Sequence, residues 1–201
     1  MLKMEKEYDK DYGSIPKRSV ERLTEYLQTI KPSKWKESIF DDIKRLSSVK
    51  WKKESFIVYL LPKATPRPRS TSNGSFFYVK GASDNKKFFL RNVKDMDLPM
   101  ICTPCKFNCV AYLPIPKSMN PKDQILAEFG FIRPISKPDF DNIVKTYTDM
   151  LQDVILVDDA LIVEGTSMKY YSWKPRIEFS IEYMEDFDCD FNKKKILKRK
   201  E

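Results

Sequence analysis

The sequence has 201 residues, of which 41% are hydrophobic and 33% charged, a composition that suits one soluble globular domain with room for an appendage. Lys and Arg number 37 against 29 acidic residues, and the resulting +8 favours an anionic partner such as nucleic acid. No apolar run is long enough to span a membrane, and the complete absence of histidine excludes histidine-based nucleases, Ser-His triads and ordinary deaminase sites.

Residues 1–13 are charged and lack an apolar signal segment, so a cytoplasmic location is expected. A helix is predicted over residues 14–27, with Pro16 early and Val20, Leu23, Tyr26 and Leu27 forming one stripe. A second follows after Lys31, Pro32 and Ser33, carried by Trp35, Ile39, Ile43 and Leu46 and ending near Ser48. Residues 1–50 are therefore read as an amino-terminal helical extension, 51–186 as the main domain and 187–201 as a basic tail.

In the main domain, residues 56–61 are apolar on both faces and predict a central strand. The strand runs into a stiff Pro-rich piece whose Arg67 and Arg69 point to one side of an extended chain, suited to phosphate or simply solvated. Residues 76–79 make a short aromatic strand. Lys80, Lys86, Lys87 and Arg91 are then interleaved with Phe88 and Phe89, a pattern of nucleic-acid surfaces and of folded cores alike. Alternation of Phe107, Cys109 and Ala111 marks the next strand, closed by Pro114 and Pro116. The connection 117–136 has no clear periodic form. Residues 160–168 and 176–184 predict a hairpin around a turn at 172–175, with Ile177, Phe179, Ile181 and Tyr183 on the buried side. Cys102, Cys105, Cys109 and Cys189 are expected to be reduced, because a zinc site would need ligands this chain lacks.

The chemistry concentrates in residues 137–159, KPDFDNIVKTYTDMLQDVILVDD. Asp139 and Asp141 precede a helix whose buried stripe is Ile143, Tyr147, Met150 and Leu151, and Lys145 lies one turn after Asp141. Asp158 and Asp159 close the stretch. Two readings stay open on spacing alone. The carboxylates are caps and solvated turns, or they converge on a divalent cation, Mg²⁺ or Mn²⁺, whose hard character suits oxygen ligands. Such an ion activates water and stabilises charge on a transferring phosphoryl group.

Taken together, KATPRPRSTSNGSFFY, KPDFDNIVK, LVDDALI and the segment 169–175 resemble, in that order, the RusA family of Holliday junction resolvases, over about residues 56–184. The resemblance implies a homodimeric mixed α+β fold of the α/β class, with packed helices on a mixed sheet. It implies Mg²⁺ (or Mn²⁺) and paired symmetrical nicks across four-way branched DNA. It assigns catalysis to Asp139, Asp141, Asp159 and Lys145, metal binding to Asp139, Asp141, Asp158 and Asp159, and DNA contact to Arg67 and Arg69. Lys80, Lys86, Lys87, Lys137, Lys169 and Lys174 are added as candidate DNA-binding residues. Alternatives are a Mg²⁺-dependent nuclease for forks or flaps, and a non-catalytic DNA-binding protein.

Overall fold

The computed structural model describes residues 16–64, 69–70, 76–77 and 82–184, with the backbone alone at 69–70, 76–77 and 82–84. The described chain falls into two compact units that meet in sequence at Lys50 and Trp51. The first is an αα-hairpin of α1, Lys17–Thr29, and α2, Trp35–Ser47. Pro16 stands at the N-cap, outside the predicted helical turn, because its fixed extended φ and missing N–H suit a helix start. Lys36 Nζ donates to Ile30 O at 2.7 Å and ties the start of α2 to the end of α1.

The second unit contains β1 (Trp51–Val58), β2 (Arg69–Ser70), β3 (Phe76–Phe77), α3 (Ala82–Lys94), β4 (Cys105–Pro114), α4 (Pro121–Glu128), α5 (Phe140–Leu151), β5 (Ile162–Ser172) and β6 (Arg176–Met184). Four of the strands form a mixed sheet in the order β1-β6-β4-β5, with β4 and β5 parallel and the other pairs antiparallel. The small β2-β3 ribbon stands apart. The result is the mixed α+β class that the sequence predicts.

Strict alternation writes the core. Phe107, Cys109 and Ala111 of β4 and Ile177, Phe179 and Ile181 of β6 point inward and are buried. Ile143, Tyr147 and Leu151 of α5 and Phe89 and Val93 of α3 join the same core. Phe179 is its aromatic centre, stacked on Phe56 at 4.9 Å and meeting the edges of Phe89 and Tyr147 at 5.8 Å. Burial pushes the Cys105 thiol up to about 11 and the Cys109 thiol to about 12, so both stay protonated, and Cys102, Cys105 and Cys109 are free.

Several expectations change. The strand predicted over 56–61 overlaps β1, which runs from Trp51 to Val58 and lies at an edge, not the centre; Ile57 in the strand and Tyr59 and Leu61 beyond it are exposed. The hairpin over 160–184 is not paired with itself. β4 lies between β5 and β6, and the connection 173–175 arches over the Pro114 end of β4. Alternation fixes which face a strand buries but not which strand it pairs. The basic-aromatic stretch 82–94 is helical, with Phe89 inward and Phe88 outward. In the connection 117–136, α4 begins at an Asn120 cap that accepts from Asp123 N at 2.9 Å, with Pro121 in its first turn.

Candidate functional site

Helix α5 carries most of the candidate site. Its inward stripe of Ile143, Tyr147, Met150 and Leu151 is buried, which leaves Asp141, Lys145 and Asp149, at four-residue intervals, exposed on the outer face. Asp139 is the N-cap. Its carbonyl accepts from Ile143 N at 3.1 Å, while its side chain makes no capping bond. The helix start is thus held by backbone, and the Asp139 carboxylate is not consumed in holding it. Asp139 and Asp141 are both exposed.

The approach to α5 is fixed from β5. Lys169 Nζ donates to Ser136 O and to Pro138 O, each at 3.0 Å, across the cis Lys137–Pro138 peptide. Lys169, a candidate DNA contact from sequence, here positions the backbone that presents Asp139. Changing Lys169→Met keeps the aliphatic stem but removes two charge-assisted bonds, so a loss of about 1.5–3 kcal/mol per bond at most is expected, focused on this loop. Amide hydrogen exchange should accelerate over residues 136–141 more than over β6. Unchanged exchange there would show that the ammonium does not hold the loop.

Tyr147 fixes the other neighbour. Its hydroxyl accepts from Lys63 N at 3.3 Å, and burial raises its pKa to about 12. Lys63, five residues beyond the end of β1 and at the start of KATPRPR, is thereby tied to the middle of α5.

The second acidic pair lies at the far end of the helix. α5 ends in a tight turn in which Ile155 and Leu156 N–H groups return to Leu151 O. Ile101 N then donates to Ile155 O at 2.6 Å. Asp158 follows and caps a single 3₁₀ turn, accepting from Ala160 N at 2.8 Å; Asp159 is the first residue of that turn. β5 starts directly afterwards, opposite Cys105, whereas Lys169 lies opposite Ala111. Helix and strand therefore run in opposite directions. Asp139 and Asp141 lie at one end, and Asp158 and Asp159 at the other. The twelve-residue helix between them is about 18 Å long. Among the described residues no group of three or more Asp, Glu, Cys or His side chains is gathered closely enough to hold a metal. The donor chemistry of each pair suits a hard divalent cation, but a single chain presents the two pairs separately.

Lys86 and Lys87 are exposed on α3, and Lys137 is exposed before the cis peptide. Lys174 Nζ sits 4.3 Å from the Tyr59 ring centre. Arg69 is in β2, opposite Phe77; Arg67, Lys80 and the tail 187–201 lie outside the described residues. Sequence reading missed Glu128 of α4. Its carboxylate accepts from Ser172 Oγ at 3.1 Å and Trp173 N at 2.6 Å and fixes the β5–β6 turn. The Asn-Pro-x-Asp cap before α4 was the available signal, but the tertiary partner 45 residues away was not.

The fold and site define an α+β protein whose acidic groups are arranged around one helix, with lysines beside them. The chain belongs to the endodeoxyribonuclease RusA family, whose model matches residues 60–182, and is by that membership a nuclease-type protein. It is also similar to the uncharacterized protein YqaN of Bacillus subtilis (strain 168), 34% identical over 132 residues, 63% of this chain and 93% of that one. No helix among the described residues is long and apolar enough to cross a membrane.

Proposed function

We propose that this chain is a metal-dependent endodeoxyribonuclease that resolves four-way DNA junctions by paired symmetrical nicks. The observation that carries the reading is the start of α5, where the backbone holds the helix and leaves Asp139, Asp141 and Lys145 turned to solvent. Family membership supports the nuclease class.

In this reading Asp139 and Asp141 are one half of a cation site, and Asp158 and Asp159 the other. The cation, when bound, activates water and neutralises charge on the phosphoryl oxygens. Lys145, one turn from Asp141 on the same exposed face, offers a positive charge to the phosphate under attack or to the leaving oxygen. Lys169 keeps the Asp139 loop in place through Ser136 O and Pro138 O. Because the two acidic pairs stand about a helix length apart, a second copy of the chain completes each site. A two-fold dimer brings the Asp158–Asp159 turn of one protomer to the Asp139–Asp141 end of its partner, and does so twice. Two sites related by two-fold symmetry also match a junction cut on two opposed strands.

The test uses four-way junctions, forks, flaps and linear duplex with Mg²⁺, and maps the nicks at nucleotide resolution. Paired nicks at symmetry-related positions with 5′-phosphate and 3′-hydroxyl ends are expected. Equal cutting of linear duplex would sink the resolvase reading and leave a general nuclease.

A further inference from the structure

The segment after α4 is built in an unusual way. Phe129, Phe131 and Ile135 are 73%, 78% and 98% exposed within seven residues, and Trp173 on the neighbouring β5–β6 turn is 60% exposed. Large apolar side chains turned outward in a group mark a contact surface more often than chance exposure. The backbone beneath them is tightly held. Phe131 N and Ile132 N both donate to Leu126 O, at 2.9 and 3.3 Å, and Gly130 N donates to Ala127 O at 3.0 Å. Gly130 has φ +78°, a conformation that favours glycine, and a Cβ there would press on the Tyr170 ring at 3.3 Å.

The turn is also clamped to the sheet. Arg133 Nε donates to Gly130 O at 2.6 Å, and its guanidinium lies 3.7 Å from the Tyr170 ring centre. Tyr170 stacks on Tyr112 at 5.6 Å, and Arg176 lies 3.6 Å from the Tyr112 ring. The clamp therefore reaches across β5, β4 and β6. Glu128, the acidic group nearest the turn in sequence, is occupied by Ser172 Oγ and Trp173 N. Three basic residues belong to or flank the exposed apolar positions in sequence: Arg133 in the turn, Lys137 two residues after Ile135, and Lys174 next to Trp173, with exposed Asp139 following.

We propose that this turn is a wedge that enters a DNA branch point and stacks Phe129 and Phe131 on bases exposed where helical stacking is interrupted. Apolar side chains inserted between base steps are a known way to hold distorted DNA, and aromatic faces accept any base. The flanking Arg133, Lys137 and Lys174 offer positive charge to the phosphates of such a branch. The position also fits. Only three residues separate Ile135 from Asp139, and Lys169 holds the intervening backbone at Ser136 O and Pro138 O. A wedge seated at the branch point thus sets how far from it the Asp139 end of α5 reaches the backbone. It is a specificity-determining element, and it rests on the junction-nuclease reading.

The experiment measures binding without cutting. A synthetic junction carrying 2-aminopurine at the branch point is titrated with full-length protein in EDTA, beside a linear duplex of the same composition. The wild type should raise the fluorescence by unstacking the base. Phe129→Ser with Phe131→Ser should abolish that rise and weaken junction binding by at least about tenfold, while duplex affinity changes little. Phe129→Trp with Phe131→Trp should restore the rise. Because both positions are mostly exposed, melting of the serine variant should match the wild type. A serine variant that still unstacks the base overturns the wedge alone; a wild type that does not distinguish junction from duplex removes the junction-resolving reading and the wedge with it. If light scattering shows that the serine variant has become a smaller assembly than the wild type, the two phenylalanines are contacts between copies of this chain, and the wedge is wrong.

Discussion

Asp139→Asn should abolish junction cleavage while the protein still folds and binds. Asparagine caps a helix as well as aspartate does, and the α5 start is held by the Asp139 carbonyl rather than its side chain. The substitution therefore removes one negative oxygen and little else. A cation ligand stabilises several kcal/mol of transition-state charge, so single-turnover cleavage should fall by about a thousandfold. Junction affinity should hold or improve, because a charge that repels phosphate is gone. Asp149→Asn supplies the control. It lies on the same outer face of α5, two turns beyond Asp141, and cleavage should stay within about twofold. Rapid-quench cleavage and anisotropy titrations on one junction measure both quantities. A full-rate Asp139→Asn protein would remove the cation site from the start of α5.

The helix that carries this test was legible from its residues because one periodicity did two things. Ile143, Tyr147, Met150 and Leu151 announced the buried face, and all four are buried. The same spacing put Asp141 and Lys145 on the opposite side. β6 was equally plain, since strict alternation over nine residues has only one way to bury Ile177, Phe179 and Ile181. Pairing was less plain. β1 looked central because Ile57, Tyr59 and Leu61 are apolar, yet an edge strand exposes such residues without penalty large enough to forbid it. The insertion of β4 between β5 and β6 depends on contacts distant in sequence, and no local pattern encodes it. The site was legible as a list of carboxylates but not as a geometry. Convergence of the two acidic pairs within one chain requires the connection after α5 to fold back along the helix. Instead, the bonds among Leu151, Ile155 and Ile101 hold it beside the approach to β4, at the wrong end.

That separation leads to the second large effect, a recovery of activity by mixing two inactive chains. One chain carries Asp139→Asn and Asp141→Asn, the other Asp158→Asn and Asp159→Asn. The Asp158→Asn change retains a side-chain oxygen for the Ala160 N–H, so the turn before β5 should keep its cap. Each homodimer should be inactive, since every site lacks one half. In a heterodimer purified through two different tags, the substitutions distribute unequally if each site draws one acidic pair from each protomer. One site then receives both altered pairs, and the other receives both intact pairs. The heterodimer should regain about half of the wild-type nicking capacity, as one of two symmetric sites. On a plasmid with an extruded cruciform it should yield nicked circles, where the wild type yields linear molecules from two coordinated cuts. If each site were built within one chain, every site of the heterodimer would still lack a pair, and no nicking would return. An inactive heterodimer of intact mass that still binds the junction would therefore refute the shared site, and would require α5 and the 158–159 turn of a single chain to rearrange when DNA is engaged.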